Sequence, residues 1–186
     1  GFEMLLTEKM FKKARYCSKM KQFGPSLTFQ KEEFMRILDL KEDQYIIIEK
    51  IKYRVLNEVK FTEKSSYWIE YKIRNTEDNE IYYLNVELSS KVVLFKVLKE
   101  KEIQLKVNII FQEEEYELME KGIRKVEDYY GMTDVGLKEE VSYYEYKNKK
   151  DMQKVLSIEK WKDETEISLG KIISLSNIKI LNEFER

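Results

Sequence analysis

The middle of this chain states one pattern twice, and that repetition constrains the fold more than any other feature. Tyr53-x-Val55 leads to Trp68-x-Glu70-Tyr71-Lys72 and then to Leu84-Asn85-Val86-Glu87. Further on, Tyr116-x-Leu118 leads to Tyr143-x-Glu145-Tyr146-Lys147 and then to Leu156-Ser157-Ile158-Glu159. A fixed order of similar short segments points to an internal duplication, two copies of one β unit. The step from Tyr71 to Leu84 is 84 − 71 = 13 residues and from Tyr146 to Leu156 it is 156 − 146 = 10, so a hairpin is kept and its loop shortened. The step from Tyr53 to Tyr71 is 18 and from Tyr116 to Tyr146 it is 30, which leaves a 30 − 18 = 12-residue insertion. It falls over Asp128 to Glu139 and carries Gly131 and Gly136. Loops carry function disproportionately, so it is a candidate site beside its plainer reading as a surface excursion.

From Gln44 onward the apolar period is two. Tyr67, Ile69, Tyr71 and Ile73 alternate with Trp68, Glu70, Lys72 and Arg74, and Leu156 and Ile158 alternate with Ser157 and Glu159. Such alternation predicts strands with one face in a core and one in solvent. The expected strands are 44–49, 52–60, 66–74, 80–87, 91–98, 103–111, 115–120, 140–147, 153–161, 166–169 and 171–181, the last one bent. Polar turns such as Asn75–Asn79 and Asn148–Asp151 separate them, which means antiparallel hairpins rather than βαβ units. On this register Val55, Leu84, Val86, Leu118, Leu156 and Ile158 belong to the core. Glu70, Glu87, Glu145 and Glu159 belong to the solvent face, paired with lysines of neighbouring strands.

Residues 1–40 differ. Leu6, Met10, Ala14 and Cys17 recur at helical spacing over 3–23, and Gly24-Pro25 stops the run. A short helix is expected at 29–39, with Phe34, Ile37 and Leu38 on one side and Thr28 as N-cap. The first 25 residues carry six Lys and Arg against Glu3 and Glu8, so 6 − 2 = +4, while the whole chain is −1. Lys12, Arg15 and Lys19 share a face. The first helix is expected to dock on the strands and leave these cations in water; the alternative is a peripheral contact with an anionic inner membrane face. The near-neutral total argues against nucleic acid. The expected organisation is a helical segment over 1–40, a first β unit over 41–100 and a second over 101–186. The whole is a mainly β protein of two duplicated antiparallel units, closed as paired small barrels or as one sandwich.

Chemistry is scarce. Zero histidines remove the commonest general base and metal ligand, and the single Cys17 has no imidazole to activate it. A lone thiol, no apolar run long enough to span a membrane and no signal-peptide pattern lead us to expect a cytoplasmic protein. No Gly-x-Gly-x-x-Gly or Gly-Lys-Ser/Thr motif supplies a phosphate cradle. No cofactor and no metal site are expected; the acidic turn Thr76–Glu80 lacks EF-hand spacing. Carboxylates remain, and Glu70 with Glu145, and Glu87 with Glu159, sit at matching positions of the repeat. So do Trp68 and Tyr143. Trp68, Glu70, Tyr143, Glu145 and Trp161 are the candidate ligand- or partner-contacting residues, weighed against packing as the ordinary use of aromatics.

At the repeated motifs the chain resembles the bacterial family named domain of unknown function 4178. The residues that carry the resemblance are Tyr53-Arg54-Val55, Trp68-Ile69-Glu70-Tyr71 and Leu84-Asn85-Val86-Glu87 in the first half. In the second half they are Tyr116-Glu117-Leu118-Met119-Glu120-Lys121-Gly122, Tyr144-Glu145-Tyr146 and Ser157-Ile158-Glu159-Lys160-Trp161, with Gly170 beyond. It covers about residues 42–175, and departs from the family in having Glu42-Asp43 where Gly-Asp is usual. The resemblance implies a non-enzymatic bacterial module, often tied to membrane or envelope stress, and carries no catalytic residues. Together with the missing catalytic groups it makes a protein-binding or scaffolding module, with an unknown protein partner, the first functional expectation. The second is a small-molecule or glycan-binding β module using aromatics at the seam between the copies. The third, ranked last, is a carboxylate-only hydrolase.

Overall fold

The computed structural model describes residues 25–182, with side chains from residue 31 onward. The helix expected over 3–23, with Leu6, Met10, Ala14, Cys17, Lys12, Arg15 and Lys19, lies outside the described residues, as does the side chain of Thr28. The described part opens with helix α1 (Pro25–Ile37). Pro25 is its first residue, where proline's fixed φ and missing N–H suit a helix.

Eleven strands follow: β1 (Tyr45–Ile48), β2 (Ile51–Glu63), β3 (Ser66–Asn75), β4 (Ile81–Glu87), β5 (Val92–Val97), β6 (Asn108–Phe111), β7 (Glu114–Tyr130), β8 (Glu140–Asn148), β9 (Lys154–Lys160), β10 (Thr165–Ile172) and β11 (Ile178–Ile180). All pairings are antiparallel. The sheet order is β11-β1-β2-β3-β4-β5-β10-β9-β8-β7-β6, and β2 also pairs with β7. That extra pairing closes eight strands into one barrel, β2-β3-β4-β5-β10-β9-β8-β7, with β1 and β11 continuing from β2 and β6 from β7. The mainly β antiparallel expectation holds. The closure differs from both expected forms: the strands of the two halves share a single barrel instead of making two barrels or a sandwich.

Two long strands make this possible. Where sequence alternation predicts a strand over 115–120, β7 runs on to Tyr130, because its second half finds an edge of β2 to pair with. β2 and β7 each carry a register shift, between Val55 and Asn57 and between Leu118 and Glu120. A bulge bends a strand and sharpens its twist, so each strand serves the barrel along one part and an outer strand along the other. The expected 166–169 and 171–181 resolve into β10, the 3-10 turn Leu175–Asn177 and β11, while 103–111 narrows to β6.

Period two does not say which face a closed sheet turns inward. Here the apolar face is on the outside of the barrel. Ile69, Tyr71, Ile73, Leu84 and Val86 are buried under α1, β1 and β11, packed with Phe34, Ile37, Leu40, Ile46 and Ile180. Tyr146, Leu156, Ile158 and Ile167 are buried under β6 and the segment before it, packed with Ile103, Leu105, Ile109 and Tyr116. One tyrosine on each side holds its cover by the backbone. The Tyr71 hydroxyl accepts from Leu40 N at 3.3 Å, and the Tyr146 hydroxyl donates to Lys106 O at 2.8 Å. Val55, Leu84, Val86, Leu156 and Ile158 are fully buried as expected, and Leu118 is half-buried. Truncating Leu84 or Leu156 to alanine should lower the unfolding free energy by about 2–5 kcal/mol, the range of buried Leu→Ala changes. A denaturant midpoint that barely moves in either variant would contradict this burial.

The segment that follows β7, within the 128–139 stretch expected as an insertion, is anchored to the barrel. Gly131 has φ +76°, and a Cβ there would lie 2.7 Å from Leu56 O. The Asn57 amide Nδ2 donates to Met132 O at 2.5 Å, and Val135 packs against the cluster that holds Phe61, Trp68 and Tyr143. Gly131→Ala should therefore destabilise by roughly 1–3 kcal/mol through strain and close contact. An unshifted melting temperature would show that the loop reaches this position by another route.

Candidate functional site

Closing the barrel turns the polar face inward and makes a lumen. The lumen residues come from the strands around it: Trp68 and Glu70 on β3, Tyr83, Asn85 and Glu87 on β4, Phe95 on β5, Glu120 and Arg124 on β7. Tyr143 and Glu145 on β8, Ser157 and Glu159 on β9, and Glu166 and Ser168 on β10 complete the ring. They line a cavity of about 430 Å³, open at one side and the size of a small-molecule site. The exposed members of its lining, Ser65, Ser66, Ser89 and Glu120, border its mouth.

Four of the five sequence candidates meet here. Trp68 and Tyr143 touch edge-to-face with ring centroids 6.0 Å apart, and Glu70 and Glu145 line the same cavity. Trp161 does not line it; it packs behind, with its ring 6.5 Å from Phe61. The carboxylates expected in solvent are thus in the lumen, a correction that follows from the closure of the sheet. Glu87 and Glu145 both reach Lys91, at 3.9 and 3.6 Å.

The residue that organises the site is one that sequence reasoning does not single out. Arg124 is buried, and its guanidinium lies over three aromatic rings, 4.3 Å from the centroid of Phe61, 5.5 Å from Trp68 and 5.6 Å from Tyr143. Its Nη2 donates to Glu159 and lies 4.0 Å from Glu70, while its Nε has no hydrogen-bond partner. One cation faces several carboxylates, so the balance is negative. Burial pushes the Glu70 carboxyl up to about 8, helped by Glu159 and Glu166 and opposed by Arg124. Burial pushes Glu166 up to about 7, again with Glu159 raising it and Lys101 and Arg124 lowering it. Glu145 is raised by burial, with Lys91 working against the shift. At neutral pH part of this ring therefore carries protons.

A second polar contact frames the aromatic wall. The Tyr143 hydroxyl donates to Glu63 and lies 3.2 Å from Glu120. Glu63 can lie there because Gly122 has no side chain; a Cβ would collide with its carboxylate. Among the described residues no three carboxylates or thiols converge closely enough to hold a metal ion, and no helix is long and apolar enough to cross a membrane.

The sequence profile of the family described as Domain of unknown function (DUF4178) matches residues 36–175. The chain belongs to the DUF4178 family. The matched stretch begins at the end of α1 and runs through all eight barrel strands, so the DUF4178 region contains the whole lumen. No curated protein and no solved structure matches the chain.

Proposed function

We propose that this DUF4178 barrel is a non-enzymatic binding module that holds a small polar molecule in its lumen. The observation that carries this reading is the cavity of about 430 Å³ that opens at an exposed serine mouth. A barrel whose interior served stability alone would fill with apolar side chains. This one holds buried apolar clusters around Phe61 and Phe95, yet lines the space between its strands with carboxylates, hydroxyls, an amide and a guanidinium beside aromatic surface. Aromatic faces with a few directed polar groups are what a ligand site requires.

We further propose that β1–β5 and β6–β10 are duplicated units, with Trp68 answered by Tyr143 and Glu70 by Glu145. Register supports it: Tyr53 faces Asn75 and Tyr71 faces Leu84, just as Tyr116 faces Asn148 and Tyr146 faces Leu156. A protein partner, the first expectation from sequence, has its own support at the outer edge of β6. That edge pairs with no other described strand, and Ile110 and Val107 are exposed there.

Native mass spectrometry of the chain purified from its own host should find a small molecule bound in near-stoichiometric amount. Ser157→Phe fills the lumen and should lose that molecule while its melting temperature stays close to wild type. An equal adduct in both proteins, or none in either, would contradict the lumen reading.

A further inference from the structure

We propose that the lumen receives a small organic cation, its ammonium or guanidinium seated among Glu70, Glu159 and Glu166 and its carbon frame lying against Trp68 and Tyr143. This rests on the lumen being the ligand site and adds the chemical class of what it takes.

Charge is the first argument. Six carboxylates line the cavity: Glu70, Glu87, Glu120, Glu145, Glu159 and Glu166. Against them stand Arg124 within the lining and Lys91, which reaches Glu87 and Glu145. Lys101 acts on Glu166 from a distance, its own ion pair being with Glu164 at 3.0 Å. Buried carboxylates without a compensating cation are costly, and an anionic ligand would add to the excess. The convergence is too loose for a bare metal ion among the described residues. An organic cation fits both the size and the sign.

The wall itself is the second argument. Phe61, Trp68 and Tyr143 already carry one cation on their faces, the guanidinium of Arg124. Ring faces attract positive charge, more so when water is excluded. Trp68 and Tyr143 also line the cavity beside Arg124, so a second cation there meets the same aromatic surface. Arg124 also leaves a buried Nε unpartnered, and a buried donor of that kind calls for a missing partner. A ligand that bears a hydroxyl or carbonyl beside its charge answers both features.

Protons stand in for the cation when the lumen holds only water. The groups facing Glu70 are Glu159 on β9, Glu166 on β10, Arg124 on β7 and Tyr83 on β4, and Asp134 of the insertion acts on Tyr83. Those facing Glu166 are Glu159, Lys101, Glu164 and Arg124. Those facing Glu145 are Lys91, Glu87 and Glu120. Desolvation and carboxylate neighbours raise Glu70 to about 8 and Glu166 to about 7. A cation seated between them expels that proton to solvent, so binding tightens as pH rises through this range.

The test uses the full chain with Trp161→Phe, which leaves Trp68 as its one tryptophan. Benzylammonium and agmatine serve as cations, benzyl alcohol and glucose as neutral probes, and benzoate as the anion. The cations should change Trp68 emission saturably. Their affinity should rise about tenfold to a hundredfold from pH 6 to pH 8.5, the range set by release of one proton from a carboxyl near 7 or near 8. Titration calorimetry in two buffers of different ionisation enthalpy should count about one proton released per ligand. Glu70→Gln and Glu166→Gln, on different strands and of unchanged size, should each weaken the cation and flatten its pH dependence. Saturable binding of benzyl alcohol, glucose or benzoate without the cations would overturn the cation assignment and leave the lumen as a ligand site. A Trp68 signal that no probe perturbs would overturn the lumen reading and this inference with it.

Discussion

Replacing Arg124 with methionine should lower the unfolding free energy by about 3–5 kcal/mol at neutral pH, the range found when one partner of a buried charge pair is removed. The loss has three parts. Glu159 loses its direct partner and Glu70 its nearest cation. The faces of Phe61, Trp68 and Tyr143 lose the guanidinium that lies over them. Methionine fills a similar volume, so a cavity adds little. Adding Glu159→Gln to Arg124→Met should recover a substantial part, because it removes the stranded charge. Arg124→Lys should recover less, since an ammonium lacks the planar, multi-donor geometry that serves rings and carboxylates together. Urea denaturation of the four proteins measures the effect. A single variant within about 0.5 kcal/mol of wild type, the range of an ordinary surface substitution, would refute this role for Arg124.

The stability of the wild-type protein should fall as pH rises from about 5 to about 9, and Glu70→Gln should remove much of that slope. The sign follows from proton counting. The Glu70 carboxyl titrates near its ordinary 4.5 in the unfolded chain and near 8 in the folded one. Between those values the folded state holds a proton that the unfolded state has released. Raising pH therefore favours unfolding, and the stabilisation present below the lower value is lost through the upper. Glu166, raised to about 7, acts in the same direction over a narrower window. The combined loss should be on the order of 2 kcal/mol, because neighbouring side chains and water relax around each newly charged carboxylate and recover part of its cost. The check is a set of urea midpoints between pH 5 and 9 for wild type, Glu70→Gln and Glu166→Gln. A flat wild-type profile, or one that climbs, would mean that the lumen carboxylates are well compensated.

The sequence was legible where local rules decide the outcome. Alternation located the strands, and Asn75 and Asn148 stand in turns as their residue type suggests: the Asn75 side chain accepts from Glu77 N, and that of Asn148 from Lys150 N and Asp151 N. The matched positions of Trp68 with Tyr143 and of Glu70 with Glu145 pointed to one shared surface, which is where the cavity lies. What failed was the side of the sheet. Ile69, Tyr71 and Leu84 are a core face in either case, and only the long-range pairing of β2 with β7 decides that the opposite face encloses a space. No window of a few residues contains that pairing. Arg124 escaped notice for the same reason. It sits in a run dense in charge, Lys121 to Glu127, that reads as a solvated loop. Its signal was the continued alternation of Gly122, Arg124 and Val126, which extends the strand past the repeated Tyr-x-Leu segment.

The seam between β2 and β7 has a consequence for ancestry and for engineering. Thr62 faces Lys125 there, and the step of 125 − 62 = 63 equals the step of 116 − 53 = 63 between Tyr53 and Tyr116. Under the proposed duplication, a local two-fold axis passes through that pair. A chain that ended after β5 would expose two raw strand edges and could complete the barrel only by joining a second copy about this axis. Such a homodimer would be obliged to place identical residues at both ends of the axis. Across the seam Phe61 pairs with Val126, while under the proposed duplication the step of 63 makes Arg124 its counterpart, an aromatic face in one half and the cation that rests on it in the other. Two phenylalanines or two arginines at those places would not make this contact. Under the proposed duplication, covalent linkage frees the halves to diverge, and the asymmetric lumen uses that freedom.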